Sequence, residues 1–257
     1  MPAELNINLK NFMEEYSQIK ILYGGRMSGK TMHVCTFLLF LASKYKIRIL
    51  CLRRYQNKLS DSVFSTFKTI LDNDKNLYDK YNITANGLTS TIGSEFIFMG
   101  IARNLPEIKG LDNINYTFIE EAELLVKKEW DIIRPTILRS IYSTCIAVFN
   151  PRYDIDYIYN EFIVKKHDNV MVRKINYTDN HFLNQTAVNL IENDKKNMED
   201  EEFAHIYLGE PLSESADSLI KRKWLNACVD AHKKLNIKVC GKKYIGYDVA
   251  DDGQDKN

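Results

Sequence analysis

Gly24-Gly25-Arg26-Met27-Ser28-Gly29-Lys30-Thr31 matches the spacing G-x-x-x-x-G-K-[ST], with an apolar run, Ile19 to Tyr23, before it and a long apolar-rich run, Thr31 to Lys44, after it. This eight-residue string requires a strand, a tight loop and a helix in that order, the context in which the motif carries chemistry. Glycines let successive backbone N–H groups wrap a polyphosphate, and the following helix adds the positive end of its dipole. Gly24, Gly25, Arg26, Met27, Ser28 and Gly29 are therefore expected to line the phosphates, with Lys30 on the β and γ phosphates. The Thr31 hydroxyl is expected to join an octahedral Mg²⁺ shell. Arg26, four residues before Lys30, either swings toward the γ phosphate as a cis arginine finger or remains an exposed loop arginine.

A second motif has the complementary charge. Tyr116-Thr117-Phe118-Ile119-Glu120-Glu121-Ala122-Glu123 is an apolar strand that delivers acids at its carboxyl end, where open α/β sheets bind ligands. It has the form of a Walker B element with Glu in the place of Asp. Glu120 is expected to support the Mg²⁺ shell and Glu121 to orient or deprotonate an attacking water. Glu123 has the weaker claim and reads as a helix cap. After a further apolar strand, Thr144 to Phe149, Asn150 stands before Pro151. It either senses the γ phosphate or caps a turn.

The order of elements predicts an α/β fold, a P-loop NTPase of the ASCE/RecA-like type, with a mostly parallel central sheet flanked by helices and a small C-terminal linker region. Further strands are expected at Ile47 to Leu52 and Phe96 to Met99. Further helices are expected at Ser60 to Leu71, capped by Ser60 or Asp61, near Lys128 to Leu138, and from Lys221 to Leu235. The domain division is expected at 1–211 for the ATPase, 212–240 for a linker subdomain and 241–257 for the first strand of another domain. With 257 residues, 45% of them hydrophobic, the chain can bury a sizeable core. A net charge of +1 excludes a constitutive nucleic-acid coat, so any contact with nucleic acid is local or transient. Five cysteines without C-x-x-C spacing read as reduced core thiols. The apolar run Cys35 to Ala42 is far shorter than the roughly 20 residues of a membrane span, and Met1 to Lys10 lacks the pattern of a secretory signal. Neither membrane association nor export is expected.

Taken in order, these motifs resemble the large terminase subunit of tailed bacteriophages, in particular the branch of short-tailed phages and PBSX-like prophages. The resemblance extends through Ile49-Leu50-Cys51-Leu52-Arg53-Arg54 with Gln56-Asn57 and Ser60-Asp61-Ser62-Val63, then Ile108-Lys109-Gly110-Leu111 and Phe149-Asn150-Pro151. It continues in Asn176-Tyr177-Thr178-Asp179-Asn180 and Tyr207-Leu208-Gly209-Glu210-Pro211. It implies an ATPase using ATP and Mg²⁺ that threads double-stranded DNA into a procapsid in the host cell cytoplasm. Its implied partners are a small terminase subunit and the portal protein. The resemblance further implies a ring assembled at the portal, a monomer being admitted for the isolated chain. In that family Arg26 matches a proposed cis finger, Glu120 and Glu121 the Walker B and catalytic glutamates, and Asn150 a coupling motif. Residues just before the loop help hold the base, which nominates Tyr16, Gln18 or Tyr23.

Gly246-Tyr247-Asp248-Val249-Ala250 resembles the first strand of the family's RNase H-like nuclease, which makes Asp248 a nuclease metal ligand in an incomplete site. Nuclease activity is accordingly not expected. Lys44, Lys46, Arg48 and the Lys221-Arg222-Lys223 cluster are basic candidates for DNA contact, and Arg103 and Arg139 for action between neighbouring subunits. Two other readings compete: a thymidine-kinase-like phosphotransferase, which lacks support from the isolated cysteines and from Glu120-Glu121, and an ATP-binding assembly subunit without turnover.

Overall fold

A computed structural model describes residues 4–55, 63–84, 87–140, 142–213, 222–238 and 240. Two compact units are present, one through Ser215 and one from Ala216. In the first, β1 (Ile19–Tyr23) leads through the glycine-rich loop into α1 (Lys30–Lys44), and β2 (Arg48–Arg53) is followed by α2 (Ser65–Asn73). A hairpin of β3 (Tyr81–Thr84) and β4 (Gly87–Ser90) precedes β5 (Glu95–Gly100), α3 (Ile101–Lys109), β6 (Tyr116–Glu120), α4 (Lys127–Ile137) and β7 (Thr144–Phe149). The unit ends in β8 (Val170–Lys174), α5 (Gln185–Asn197) and α6 (Asp200–Leu208).

The strands form one eight-stranded sheet in the order β3-β4-β5-β2-β6-β7-β1-β8. From β5 to β8 every pairing is parallel, and only the hairpin edge runs antiparallel. Alternation along each central strand sends side chains to two cores. On β2, Ile49 and Cys51 join Val34 and Leu38 of α1 and Phe67 of α2, whereas Leu50 and Leu52 join Ile108 of α3 and Trp130 and Ile133 of α4. Helices therefore cover both faces, which a parallel sheet requires. The expected mostly parallel α/β architecture is present.

The structure adds elements that the sequence reading left as connections. Residues 101–115 contain α3, in which Asn104 departs from helical geometry and Pro106 interrupts the backbone donors, so its periodicity is masked. Strand β8 lies on the sheet edge and is only partly buried, which weakens its alternation. Of the helix expected at Ser60 to Leu71, the described part includes α2 (Ser65–Asn73), and its proposed start and cap residues lie outside the described residues. The expected helix Lys221 to Leu235 is two short ones, Arg222–Cys228 and Ala231–Lys234, separated near Asp230, whose φ is +54°. Cys35, Cys51 and Cys145 are buried thiols; Cys228 and Cys240 are exposed, so the core-thiol reading holds for three of the five. Among the described residues no helix is long and apolar enough to cross a membrane.

Candidate functional site

The loop between β1 and α1 is shaped by its neighbours as much as by its own glycines. Gly24 has φ +146°, and a Cβ there would stand 1.7 Å from the Ile175 carbonyl oxygen; at Gly25 it would stand 2.0 Å from the Tyr207 oxygen. Side chains at either position would push the loop off its supports. The Gly25 N–H donates to Asn176 Oδ1 at 3.2 Å, the Arg26 N–H to the Ile206 carbonyl at 2.7 Å, and Asn180 Nδ2 to the Met27 carbonyl at 2.8 Å. Gly209, in left-handed conformation at the end of α6, closes the clasp, since a Cβ there would meet Gly24 C at 2.4 Å. The runs Asn176–Asn180 and Tyr207–Gly209 thus hold the loop from outside.

Lys30 opens α1 and is only 6% exposed. Its ammonium donates to the carbonyls of Gly24 and Gly25 at 2.9 and 2.6 Å, to Ser28 Oγ at 2.8 Å and to Asn150 Oδ1 at 2.7 Å. Burial pulls its pKa down to about 7, with the Glu123 charge opposing. The adjacent Thr31 donates from Oγ1 to Glu120 Oε1 at 3.2 Å. A cleft of about 400 Å³ collects the loop with Thr31, Glu120, Glu121, Glu123 and Asn150. The expected phosphate, metal, catalytic and coupling residues therefore converge at the carboxyl edge of the sheet. The donor set fits a magnesium nucleotide: a hydroxyl beside a carboxylate is hard-oxygen chemistry, and the loop with Lys30 supplies the positive counterpart.

Arg53 is the residue that sequence reasoning did not place in the site. It ends β2, directly beside β6, and is 6% exposed. Its Nε donates to Glu121 Oε2 at 2.8 Å, its Nη2 donates to Glu121 Oε1, and its Nη1 lies 3.6 Å from Glu120 Oε2. An arginine closing an apolar strand was the available signal, but its partner is set by strand order. Glu121 itself adopts φ +52°, a conformation that non-glycine residues enter at a cost. Glu123 sits in a 3₁₀ turn, Ala122–Leu124, and does not cap a helix. Burial pushes its carboxyl up to about 7, its own backbone hydrogen bond opposing and Glu121 reinforcing, and its Oε2 is buried without a hydrogen-bond partner.

Arg26 is exposed, lines the cleft and makes no ion pair among the described residues. None of the three proposed base-holding residues lines it. Tyr16 and Gln18 precede β1, at the opposite end of the strand from the loop, and Tyr23 is packed on Phe149 with ring centroids 5.8 Å apart. Arg139, with Lys46 and Arg48, also lies at the amino edge, away from the cleft; Arg48 is paired there with Glu95 and Asp112. Lys44 closes α1 toward the same edge. Arg103, on the first turn of α3, is exposed at the carboxyl edge. Asp248, Lys221 and the side chains of Arg222 and Lys223 lie outside the described residues.

Comparison with known proteins agrees with this fold. A family model described as phage terminase large subunit matches residues 16–210. The terminase large subunit of Bacillus phage SPP1 is 25% identical over 226 residues, covering 79% of this chain and 52% of that protein. Among solved structures, the large terminase of a thermophilic bacteriophage superposes with a TM-score of 0.65 at 13% identity, covering 80% of this chain and 53% of that one. The HK97 bacteriophage large terminase gives 0.64 at 15% identity, covering 89% and 55%. The thermophilic phage protein has also been solved in complex with ATP-gamma-S and with ADP. The chain spans about half the length of the relatives it matches.

Proposed function

The chain belongs to the phage terminase large subunit family, and from that premise we propose that it hydrolyses ATP to drive double-stranded DNA into a procapsid. The convergence of Lys30, Thr31, Glu120, Glu121 and Asn150 in one cleft carries the reading. Lys30 and the loop amides bind the triphosphate, and Thr31 with Glu120 would hold Mg²⁺, which would neutralise phosphate charge. Glu121 orients the attacking water and accepts its proton. Arg26, exposed on the loop, supplies positive charge to the transferring phosphate. Arg53, bonded to both Glu121 oxygens, fixes the orientation of that carboxylate and leaves lone pairs free for the water.

Asn150 ties the cleft to the rest of the sheet. Its hydrogen bond to Lys30 links the end of β7 to the phosphate-binding cation, and a change at the γ phosphate is thereby passed to β7 and the segment after it. The motor works as a ring with the small terminase subunit and portal, in the host cytoplasm. A near-neutral chain suits it, because a grip released at every stroke cannot rest on a large counterion-release term. The ATPase domain extends to about Pro211, a linker follows to 240, and the remainder begins the nuclease with Asp248.

ATP turnover, measured with and without duplex DNA, portal and small subunit, tests the proposal. Stimulation by these partners is expected. Glu121→Ala should retain ATP binding and lose hydrolysis, and wild-type turnover in that variant would remove it as the catalytic carboxylate. DNA-independent phosphorylation of thymidine by the same preparation would overturn the motor reading.

A further inference from the structure

The cleft has a direction. Glu120 and Glu121 follow β6 and Asn150 follows β7, so the groups that attend the terminal phosphate all lie on one side of β1 in the sheet. The nucleoside end of a bound nucleotide must therefore leave on the other side, past the first turn of α1 and toward β8. The segment that follows β8 is the one already fastened to the loop, through Asn176 to Gly25 and Asn180 to Met27.

That segment carries an aromatic ring where a base would emerge. Phe182 is 47% exposed, and its inner face rests on His33, ring centroids 5.6 Å apart. His33 stands three residues beyond Lys30 on α1 and is only 2% exposed. The space beside Gly29 is bounded by His33 Nε2 and Asn180 Nδ2, which would lie 3.1 and 3.3 Å from a Cβ at that glycine. An exposed aromatic ring thus stands beside the phosphate-binding loop, on the side of β1 toward which the base must lie. Both nitrogens of His33 are buried without hydrogen-bond partners, at a cost in stability.

We propose that Phe182, backed by His33, is the surface on which the adenine ring of the nucleotide stacks. The inference rests on the ATPase reading and supplies the base-holding residues that the amino-terminal candidates do not. Loss of one aromatic stacking face is expected to cost roughly tenfold in affinity.

Calorimetric binding of ADP and of inorganic tripolyphosphate to the full chain separates base from phosphate recognition. Phe182→Ala should weaken ADP about tenfold and leave tripolyphosphate unchanged, while Phe182→Trp should keep ADP affinity and show indole quenching by ADP but not by tripolyphosphate. Thermal melting of both variants establishes that they fold, which an exposed position favours. Unchanged ADP binding in folded Phe182→Ala overturns the proposal while leaving the ATPase reading intact. If the wild-type chain binds neither ADP nor tripolyphosphate, the ATPase reading itself is overturned.

Discussion

Arg53 holds both oxygens of Glu121, with Nε donating to Oε2 at 2.8 Å and Nη2 donating to Oε1. The same guanidinium stands 3.6 Å from Glu120, so one cation balances two successive carboxylates. Without it, two like charges share a largely enclosed edge. Arg53→Ala should therefore destabilise the fold by about 2–4 kcal/mol, the lower end reflecting the partial exposure of Glu121. Arg53→Lys should recover part of that but not the forked geometry. Urea unfolding of the two single variants and of Arg53→Ala/Glu121→Ala checks this: the double variant should be less impaired than the sum. Strict additivity would mean that the pair does not couple.

Glu123 gives a pH signature of opposite sense to an ordinary surface acid. Burial raises its carboxyl from 4.5 to about 7, so between those values the folded chain holds a proton that the unfolded chain has lost. Stability contributed at this site accordingly falls as pH rises through that window, by at most about 3 kcal/mol. Glu123→Gln should match wild type near pH 4 and be the more stable form near pH 8. Urea midpoints across that range decide the matter, and parallel profiles for the two proteins would show that Glu123 titrates as an exposed acid does.

Much of this architecture is legible in the chain because its central strands are short, mostly apolar runs. Ile19–Tyr23 and Thr144–Phe149 begin and end where their composition changes, and the glycine loop and the Glu120-Glu121 pair are local strings whose placement follows from the strand before each. Relations between distant segments are not local. Arg53 becomes a partner of Glu121 only because β2 lies beside β6, which no spacing encodes. Phe182 meets His33 only because β8 is the neighbour of β1. Tyr16 and Gln18 stand apart from the cleft for a related reason: the five residues of β1 separate them from the loop. Helix α5 buries only Ile191 fully, too little apolar surface to stand out.

Gly25 is expected to be intolerant for a reason outside the phosphate motif. A Cβ there would stand 2.0 Å from the Tyr207 carbonyl oxygen, and both groups are backbone, so neither can turn aside. Gly25→Ala should separate the loop from α6, costing about 3 kcal/mol or more as steric strain in a packed site. Hydrogen exchange should show the Arg26 amide, which donates to the Ile206 carbonyl, losing protection before the sheet core does. Retained protection of that amide together with a wild-type unfolding midpoint would contradict the packing argument.

Lys30 links nucleotide binding to protons. In the structure burial lowers its pKa from 10.5 to about 7, so above neutrality the buried amine is largely uncharged, whereas the unfolded chain still carries the ammonium. The unfolded state thus binds more protons between those values, and the penalty for burying Lys30 is relieved as pH rises through that window. A phosphate brought against the amine favours the charged form again. Binding of MgADP near pH 8 should therefore take up close to one proton, and near pH 6 almost none, since the ammonium is already present. Calorimetry in two buffers of different ionisation enthalpy measures the uptake directly, and repeating it with Glu123→Gln removes the contribution of the neighbouring carboxyl. Lys30→Met, which keeps length but cannot titrate, should bind weakly and without proton uptake; an unchanged uptake in that variant would assign the linkage to a group other than Lys30.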